Sequence, residues 1–225
     1  MKLKFALLLS MGMVAASSQA ALVVFSGADS GANSTDPRPL SDAAASAFDA
    51  AAGSLGSLNV INFESTPLGS FSSQTVAPGV TLSGTNPLIV DAPYSTPDSL
   101  FGYNTTVGGT HFAQFFGGSM TFTFATPIHA FGTYLTGVQL DHLDISFDDG
   151  SAQSIPLVNV GSGAQFLGFT DAGKSISSLT INMQTPTVGD VAGMDDVRYG
   201  AVPEPTTMAT VGLGIAALLR RRRKA

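Results

Sequence analysis

The sequence predicts a mainly β protein, an antiparallel two-sheet sandwich of the jelly-roll type with one short N-terminal helix. Two observations predict this fold. Between residues 59 and 201, about ten short apolar or alternating runs are separated by Gly, Pro and Asp, as strands are separated by turns. Before them lies a single Ala-rich segment with the composition of a helix. A β-helix would compete with the sandwich, but no repeat of fixed period occurs.

The N-terminal residues 1–20 are predicted to be a signal peptide. Lys2 and Lys4 precede an apolar run, and small residues close the segment at Ala20. A run of about 12 apolar residues is short of the roughly 20 that a membrane-spanning helix needs. We therefore expect export by the Sec machinery and cleavage by signal peptidase.

Residues 21–58 are predicted to be a polar lead-in that holds the helix. The helix is expected over residues 43–52, with Ser41 as its N-cap, Asp42 in its first turn and Gly53 at its end. Phe48 is its expected packing anchor.

Residues 59–201 are predicted to form the β-sandwich domain. Period-two alternation and short apolar runs set the strand positions, and Asp149-Gly150 predicts a tight hairpin turn. Glycine pairs at 108–109 and 117–118 predict further turns. The expected strands are 59–63, 80–83, 88–90, 111–116, 120–124, 130–135, 143–147, 154–157, 165–169, 178–183 and 195–199.

Charge and cysteine content exclude several classes of protein. Residues 21–201 contain three basic and 15 acidic residues, a net charge of −12, so no basic surface is available for nucleic acid. The chain has no cysteine. A disulfide scaffold, a thiolate nucleophile and a cysteine-ligated zinc site are therefore excluded.

The C-terminal tail, residues 202–225, has three parts in a fixed order. Val202, Pro203, Glu204 and Pro205 come first, followed by an apolar segment at 206–219 that is expected to form a hydrophobic transmembrane helix. As a helix the segment would be about 21 Å long, a marginal anchor against a hydrocarbon core of about 30 Å. The basic residues that follow should hold the C-terminus in the cytoplasm, and they are Arg220, Arg221, Arg222, Arg223 and Lys224.

This order resembles the PEP-CTERM sorting signal of Gram-negative bacteria that produce exopolysaccharide. The resemblance implies transient anchoring in the inner membrane, recognition and processing by an exosortase, and a final place on the cell surface or outside the cell. An ordinary tail anchor is the alternative. The resemblance covers residues 202–225 and concerns sorting, not the activity of the body.

The body also resembles galactose-binding-like sandwiches. The matching segments are 61–64, 79–82, 131–132, 166–169 and 194–199. In a jelly roll the first and last strands often lie side by side, which would bring Glu64 close to Asp195 and Asp196. Carboxylate oxygens suit Ca²⁺, and related sandwiches often carry a structural calcium near this place, so these three residues are the candidate calcium ligands. Alternatively, Asp195 and Asp196 begin a strand and pair with Arg198, and Glu64 is solvated.

A second acidic cluster surrounds His142 and comprises Asp141, Asp144, Asp148 and Asp149. We interpret these residues as outward positions on a hairpin. A glycosidase could use paired carboxylates, but nothing singles out an acid and a nucleophile. The sequence also lacks a nucleophile elbow, a zinc-protease motif and a phosphate-binding glycine loop.

Aromatic residues are the remaining candidates for ligand contact, although a sandwich needs many of them in its core. Those considered for a sugar platform are Tyr94, Phe101, Tyr103, Phe112, Phe115, Phe116 and Tyr134. We expect an exported, exosortase-processed protein of the cell surface or extracellular matrix that is not an enzyme, with exopolysaccharide as the candidate ligand. The alternative is a secreted polysaccharide-active hydrolase.

Overall fold

A computed structural model describes residues 22–201, except 86, 140–141, 158–160 and 184–190. The predicted signal peptide and the predicted hydrophobic helix of the tail lie outside these residues. Neither helix within the described part is long and apolar enough to cross a membrane.

The described chain contains two helices and 13 strands, and every strand pair is antiparallel. The helices are α1 (Pro39–Leu55) and α2 (Asp98–Phe101). The strands are β1 (Val23–Ser30), β2 (Leu58–Ile61), β3 (Gly69–Ser70), β4 (Ser73–Ala77), β5 (Val80–Gly84), β6 (Leu88–Val90), β7 (Phe112–Phe116), β8 (Gly118–Thr136), β9 (His142–Phe147), β10 (Ala152–Pro156), β11 (Gly163–Thr170), β12 (Ile176–Met183) and β13 (Val191–Ala201).

The long strand β8 belongs to both layers of the fold. Its first half pairs with β5 and β12, and this layer continues through β4 on one side and β9 and β10 on the other. Its second half pairs with β11 and β13, and this layer adds β1 beside β11. Strand β2 pairs with the later residues of β13, and β7 pairs with its earlier residues. Beyond β7, the layer continues with β6 and then β3. The prediction of a mainly antiparallel β-sandwich is confirmed.

The core lies between the two layers. Phe122 of the first half of β8 and Phe131 of the second half are both buried in it, together with Phe169 and Leu179. A smaller cluster covers the other face of the second layer, where Phe48 of α1 packs against Ala130, Tyr134 and Phe166. Phe48 is fully buried, which confirms its predicted role as the anchor of the helix.

The predicted strands are all present, with 120–124 and 130–135 joined in the single strand β8. The hairpin at Asp149-Gly150 joins β9 to β10 as predicted. Three strands were missed, namely β1, β3 and β4. The segment 21–58 is therefore more than a polar lead-in, because β1 adds to the sheet and α1 packs on it.

The start of the helix also differs from the prediction. It begins at Pro39, and Ser41 is buried inside it instead of serving as its N-cap. The carboxylate of Asp29 on β1 accepts hydrogen bonds from the backbone N–H groups of Leu40 (3.1 Å) and Ser41 (2.8 Å). A negative group from another element thus stabilises the positive end of the helix.

Both hydrophobic clusters draw on residues between 22 and 199. A protein of residues 22–201 therefore contains the whole described core, and its length is sufficient for a domain that folds without the segments that flank it. This range, called the body below, is used in the experiments.

Candidate functional site

An open cleft of about 450 Å³ lies beside the loop of residues 104–111, which follows α2. The loop forms one wall, with Val107 almost fully exposed at its tip. Ser34, Arg38, Asp91 and Asp98 contribute polar side chains to the rest of the lining. The cleft therefore offers hydroxyl groups, carboxylates and backbone groups to a ligand.

Asp195 and Asp196 hold one end of the 104–111 loop. Asp195 Oδ2 accepts hydrogen bonds from the backbone N–H groups of Thr105 (2.7 Å) and Thr106 (3.0 Å). Asp196 accepts from the hydroxyl groups of the same two threonines, at 3.1 and 2.9 Å. Consecutive strand residues normally point to opposite faces, but a bulge in β13 at this point lets both carboxylates meet the loop.

Glu64 holds the other end of the loop. Its Oε1 accepts hydrogen bonds from the Asn104 side chain (2.9 Å) and from the backbone N–H groups of Thr110 (2.9 Å) and His111 (3.0 Å). A Cβ atom on Gly109 would lie 2.2 Å from this oxygen. Only glycine at 109 leaves room for the carboxylate at this distance.

Burial makes Asp195 an unusual acid. Its side chain is almost completely buried, and burial, followed by the negative charge of Asp196, raises its pKa from 3.8 to about 7. The hydrogen bonds from Thr105 and Thr106 act in the opposite direction. Asp195 Oδ1 is buried and has no hydrogen-bond partner among the described residues.

The three predicted calcium ligands thus lie around one loop. The adjacency that suggested them is present, because β2 pairs with β13 and places Ile61 opposite Val197. Within the described residues, no group of three or more His, Cys, Asp or Glu side chains is arranged to hold a metal ion. Asp195 Oδ1 has no hydrogen-bond partner among the described residues, while Glu64 is engaged by loop N–H groups. Calcium stays a prediction.

Arg198 does not pair with the side chains of Asp195 or Asp196. Its guanidinium forms an ion pair with Asp49 of α1 (3.1 Å) and donates a hydrogen bond to the backbone carbonyl of Asp196 (2.8 Å). It also lies 5.2 Å from the centre of the Tyr134 ring. Arg198 therefore ties the helix to β13.

The second acidic cluster serves the β9–β10 hairpin. Asp148 accepts a hydrogen bond from the Ser177 N–H (3.0 Å), and Asp149 from the Ser151 N–H (2.9 Å). Hydrogen bonds from Ser151 lower the pKa of Asp149 to about 2. These contacts support the interpretation of the cluster as outward positions on a hairpin, and Asp141 lies outside the described residues.

The aromatic candidates separate into a buried and an exposed group. The buried residues are Tyr103, Phe112, Phe115 and Tyr134. The other three form a surface cluster, in which the Tyr94 ring lies 5.1 Å from that of Phe116 and 6.1 Å from that of Phe101. Tyr94 is 63% exposed and Phe116 41%. None of the three lines the cleft itself, but Tyr94 directly follows the lining residues 91–93, so the patch meets the edge of the cleft at Tyr94.

Sequence reasoning named the carboxylates and the aromatic residues but missed the loop that joins them into a site. Its anchoring groups are mostly backbone N–H groups, which carry no sequence signal. The usable signals were the threonine pair at 105–106 and the glycine pair at 108–109, which the sequence indicated only as a turn.

Residues 201–224 match the family described as the PEP-CTERM protein-sorting motif. The resemblance of the tail is thereby confirmed, and the motif indicates a surface protein targeted by an exosortase. No curated protein sequence matches the chain.

Several solved structures are similar to this chain at low identity. A family 29 carbohydrate-binding module from Piromyces equi is 8% identical with a TM-score of 0.39, over 64% of this chain and 89% of that one. A cleaved adhesin domain of Lys-gingipain from Porphyromonas gingivalis is 8% identical with a TM-score of 0.37, over 65% and 99%. TmCBM61 in complex with β-1,4-galactotriose is 14% identical with a TM-score of 0.31, over 63% and 94%. Similarity at this level does not bear on the function of this chain.

Proposed function

We propose that this chain is an exported, exosortase-processed protein of the cell surface or extracellular matrix that binds polysaccharide without cleaving it. Sorting is supported by the motif at residues 201–224. Binding is supported by one observation above all, the aromatic patch in which the exposed Tyr94 and Phe116 and the half-buried Phe101 lie beside a polar cleft. Exopolysaccharide is the proposed ligand because it accumulates at the cell surface, to which the sorting motif would deliver the protein.

The geometry of the patch suits a sugar. The apolar face of a pyranose ring can lie on the exposed Tyr94 ring, which the Phe116 ring supports at an interplanar angle of 86°, while the hydroxyl groups of the sugar reach the polar groups of the cleft. The carboxylates of Glu64 and Asp195 hold the loop that forms one wall of the cleft, since both accept several hydrogen bonds from residues 104–111. A rigid loop favours binding because less ordering is needed when the ligand arrives.

Retention on immobilised exopolysaccharide tests this proposal. The body should be retained, and Tyr94→Ala should weaken retention about tenfold, a loss of about 1.4 kcal/mol that is typical of an aromatic contact. Tyr94→Phe should bind nearly as well, because it keeps the ring.

Val60→Ala is the matched control. Val60 is an exposed apolar residue on β2 that pairs with Arg198, whereas Phe116 pairs with Val191. Those two β13 positions are seven residues apart in sequence, which places the control about 23 Å along the strand from the patch. Equal retention of wild type and Tyr94→Ala would contradict the proposal, and reducing sugar released by the body would favour a hydrolase.

A further inference from the structure

We infer that the cleft takes a neutral glycan, an uncharged polysaccharide rich in hydroxyl groups, and discriminates against polymers that carry carboxylate, sulfate or phosphate. This inference rests on the proposed function and narrows its ligand class. It is carried by the placement of every lysine and arginine in the body and by the charges around the cleft.

Two of the three cations of the body are paired away from the cleft. Lys174 forms an ion pair with Asp149 (3.0 Å) on the β9–β10 hairpin and lies 4.2 Å from the centre of the Phe147 ring. Arg198 is paired with Asp49 and lies against Tyr134. Neither residue lines the cleft.

The third cation, Arg38, lines the cleft but is held by the protein. Its Nη2 donates a hydrogen bond to the carbonyl oxygen of Thr105 (3.1 Å), and its guanidinium lies 5.0 Å from the centre of the Tyr134 ring. Its Nη1 is buried. An anionic ligand would therefore not meet the two-pronged donor that arginine normally offers to carboxylate or phosphate.

The acidic groups of the cleft outnumber this arginine. Asp91 and Asp98 both line it, and Asp91 is exposed three positions before Tyr94. An anionic sugar stacked on Tyr94 would thus stand near an unshielded carboxylate and inside the field of a body whose net charge is −12. A neutral sugar escapes this repulsion, and its hydroxyl groups can donate to Asp91.

Matched polymers test the inference, since carboxymethylation adds charge to an unchanged backbone. The body would be examined by affinity electrophoresis in gels containing dextran, galactan or glucomannan, each with its carboxymethylated form, and in gels containing alginate. We expect retardation by at least one neutral polymer and at least tenfold weaker binding to its carboxymethylated form at low salt. The difference should shrink at high salt, because the Debye length falls from about 10 Å at 0.1 M to about 3 Å at 1 M.

Two variants test whether the discrimination against charged polymers arises at the cleft. Asp91→Asn should reduce the ratio of neutral to carboxymethylated binding several-fold. Asp148→Asn removes the same charge from the distant β9–β10 hairpin and should leave the ratio unchanged. Equal effects of the two variants would assign the discrimination to net charge and overturn the role of the cleft.

The outcomes separate this inference from the proposed function. Stronger binding to alginate or to a carboxymethylated polymer, lost in Tyr94→Ala, would overturn the neutral ligand while the binding function stands. Absence of binding to every polymer and to the exopolysaccharide would overturn both.

Discussion

Replacing Asp195 by asparagine should remove a large part of the pH dependence of the body's stability. Asp195 is buried beside Asp196, and its pKa is raised from 3.8 to about 7. The folded state therefore holds this proton more tightly than the unfolded state. The resulting stabilisation is fully present below pH 3.8 and is lost as the pH rises through 7.

The magnitude follows from the width of this window. Each unit of pKa difference corresponds to about 1.4 kcal/mol, so the full shift is equivalent to about 4 kcal/mol. Only the part of this window between pH 5 and the folded-state pKa of about 7 lies within the range from pH 5 to pH 8. Over that range the free energy of unfolding should fall by about 2.5 kcal/mol because of Asp195. His129 acts in the opposite direction, because burial lowers its pKa, so the difference between wild type and variant is the quantity to compare.

Urea unfolding at pH 5, 6, 7 and 8 in the presence of EDTA measures this difference. Circular dichroism is the suitable signal because the chain has no tryptophan. Asp149→Asn is the matched control, since the pKa of Asp149 is lowered to about 2 and this residue does not titrate in the window. If the Asp195→Asn variant kept the pH dependence of the wild type, the reasoning about the buried carboxylate would be refuted.

Three further predictions concern the loop, the ion and the tail. Gly109→Ala should lower the free energy of unfolding by about 1–3 kcal/mol and speed hydrogen exchange in the 104–111 loop, because the new Cβ meets Glu64. In a Glu64→Ala background this loss of stability should largely vanish. An equal loss there would contradict the steric cause. Calorimetric titration of the body with calcium should give heat and raise the melting temperature, and both should be lost in Asp195→Asn; no heat and no thermal shift would contradict calcium. Alanine at residues 203–205 should leave the intact tail in the membrane fraction of an exosortase-containing host, and release equal to that of the wild type would contradict processing at this motif.

The fold was predictable where side chains alternate and unpredictable where they are small. In β9, Leu143, Ile145 and Phe147 are buried on alternate positions, and this alternation is visible in the sequence. In β1 the residues from Ser26 to Asp29 have short side chains with little strand preference. There the strand depends on pairing with β11 and on the close passage of α1, since a Cβ on Gly27 would lie 2.3 Å from the carbonyl oxygen of Leu40.

The candidate site was predictable in its charged residues but not in their partners. The first predicted strand, β2, does pair with the last strand, β13, as expected, although the first strand of the structure is β1 and it pairs with β11. The same carboxylates suit a cation or a set of backbone N–H groups, and sequence does not distinguish these partners. The sequence also does not show which of two adjacent phenylalanines is buried. Phe115 is 1% exposed and Phe116 is 41% exposed, because they lie on opposite faces of β7.

Strand β13 connects the proposed glycan-binding site to the sorting motif. At its start, Val191 pairs with Phe116 of the aromatic patch, and the bulge at Asp195 and Asp196 holds the wall of the cleft. At its end, Ala201 is the first residue of the sorting motif. Ala201 lies ten positions after Val191, about 30 Å along an extended strand. Because the aromatic patch and the sorting motif adjoin opposite ends of one strand, substitutions in the patch should change the proposed glycan binding and leave processing of the tail intact.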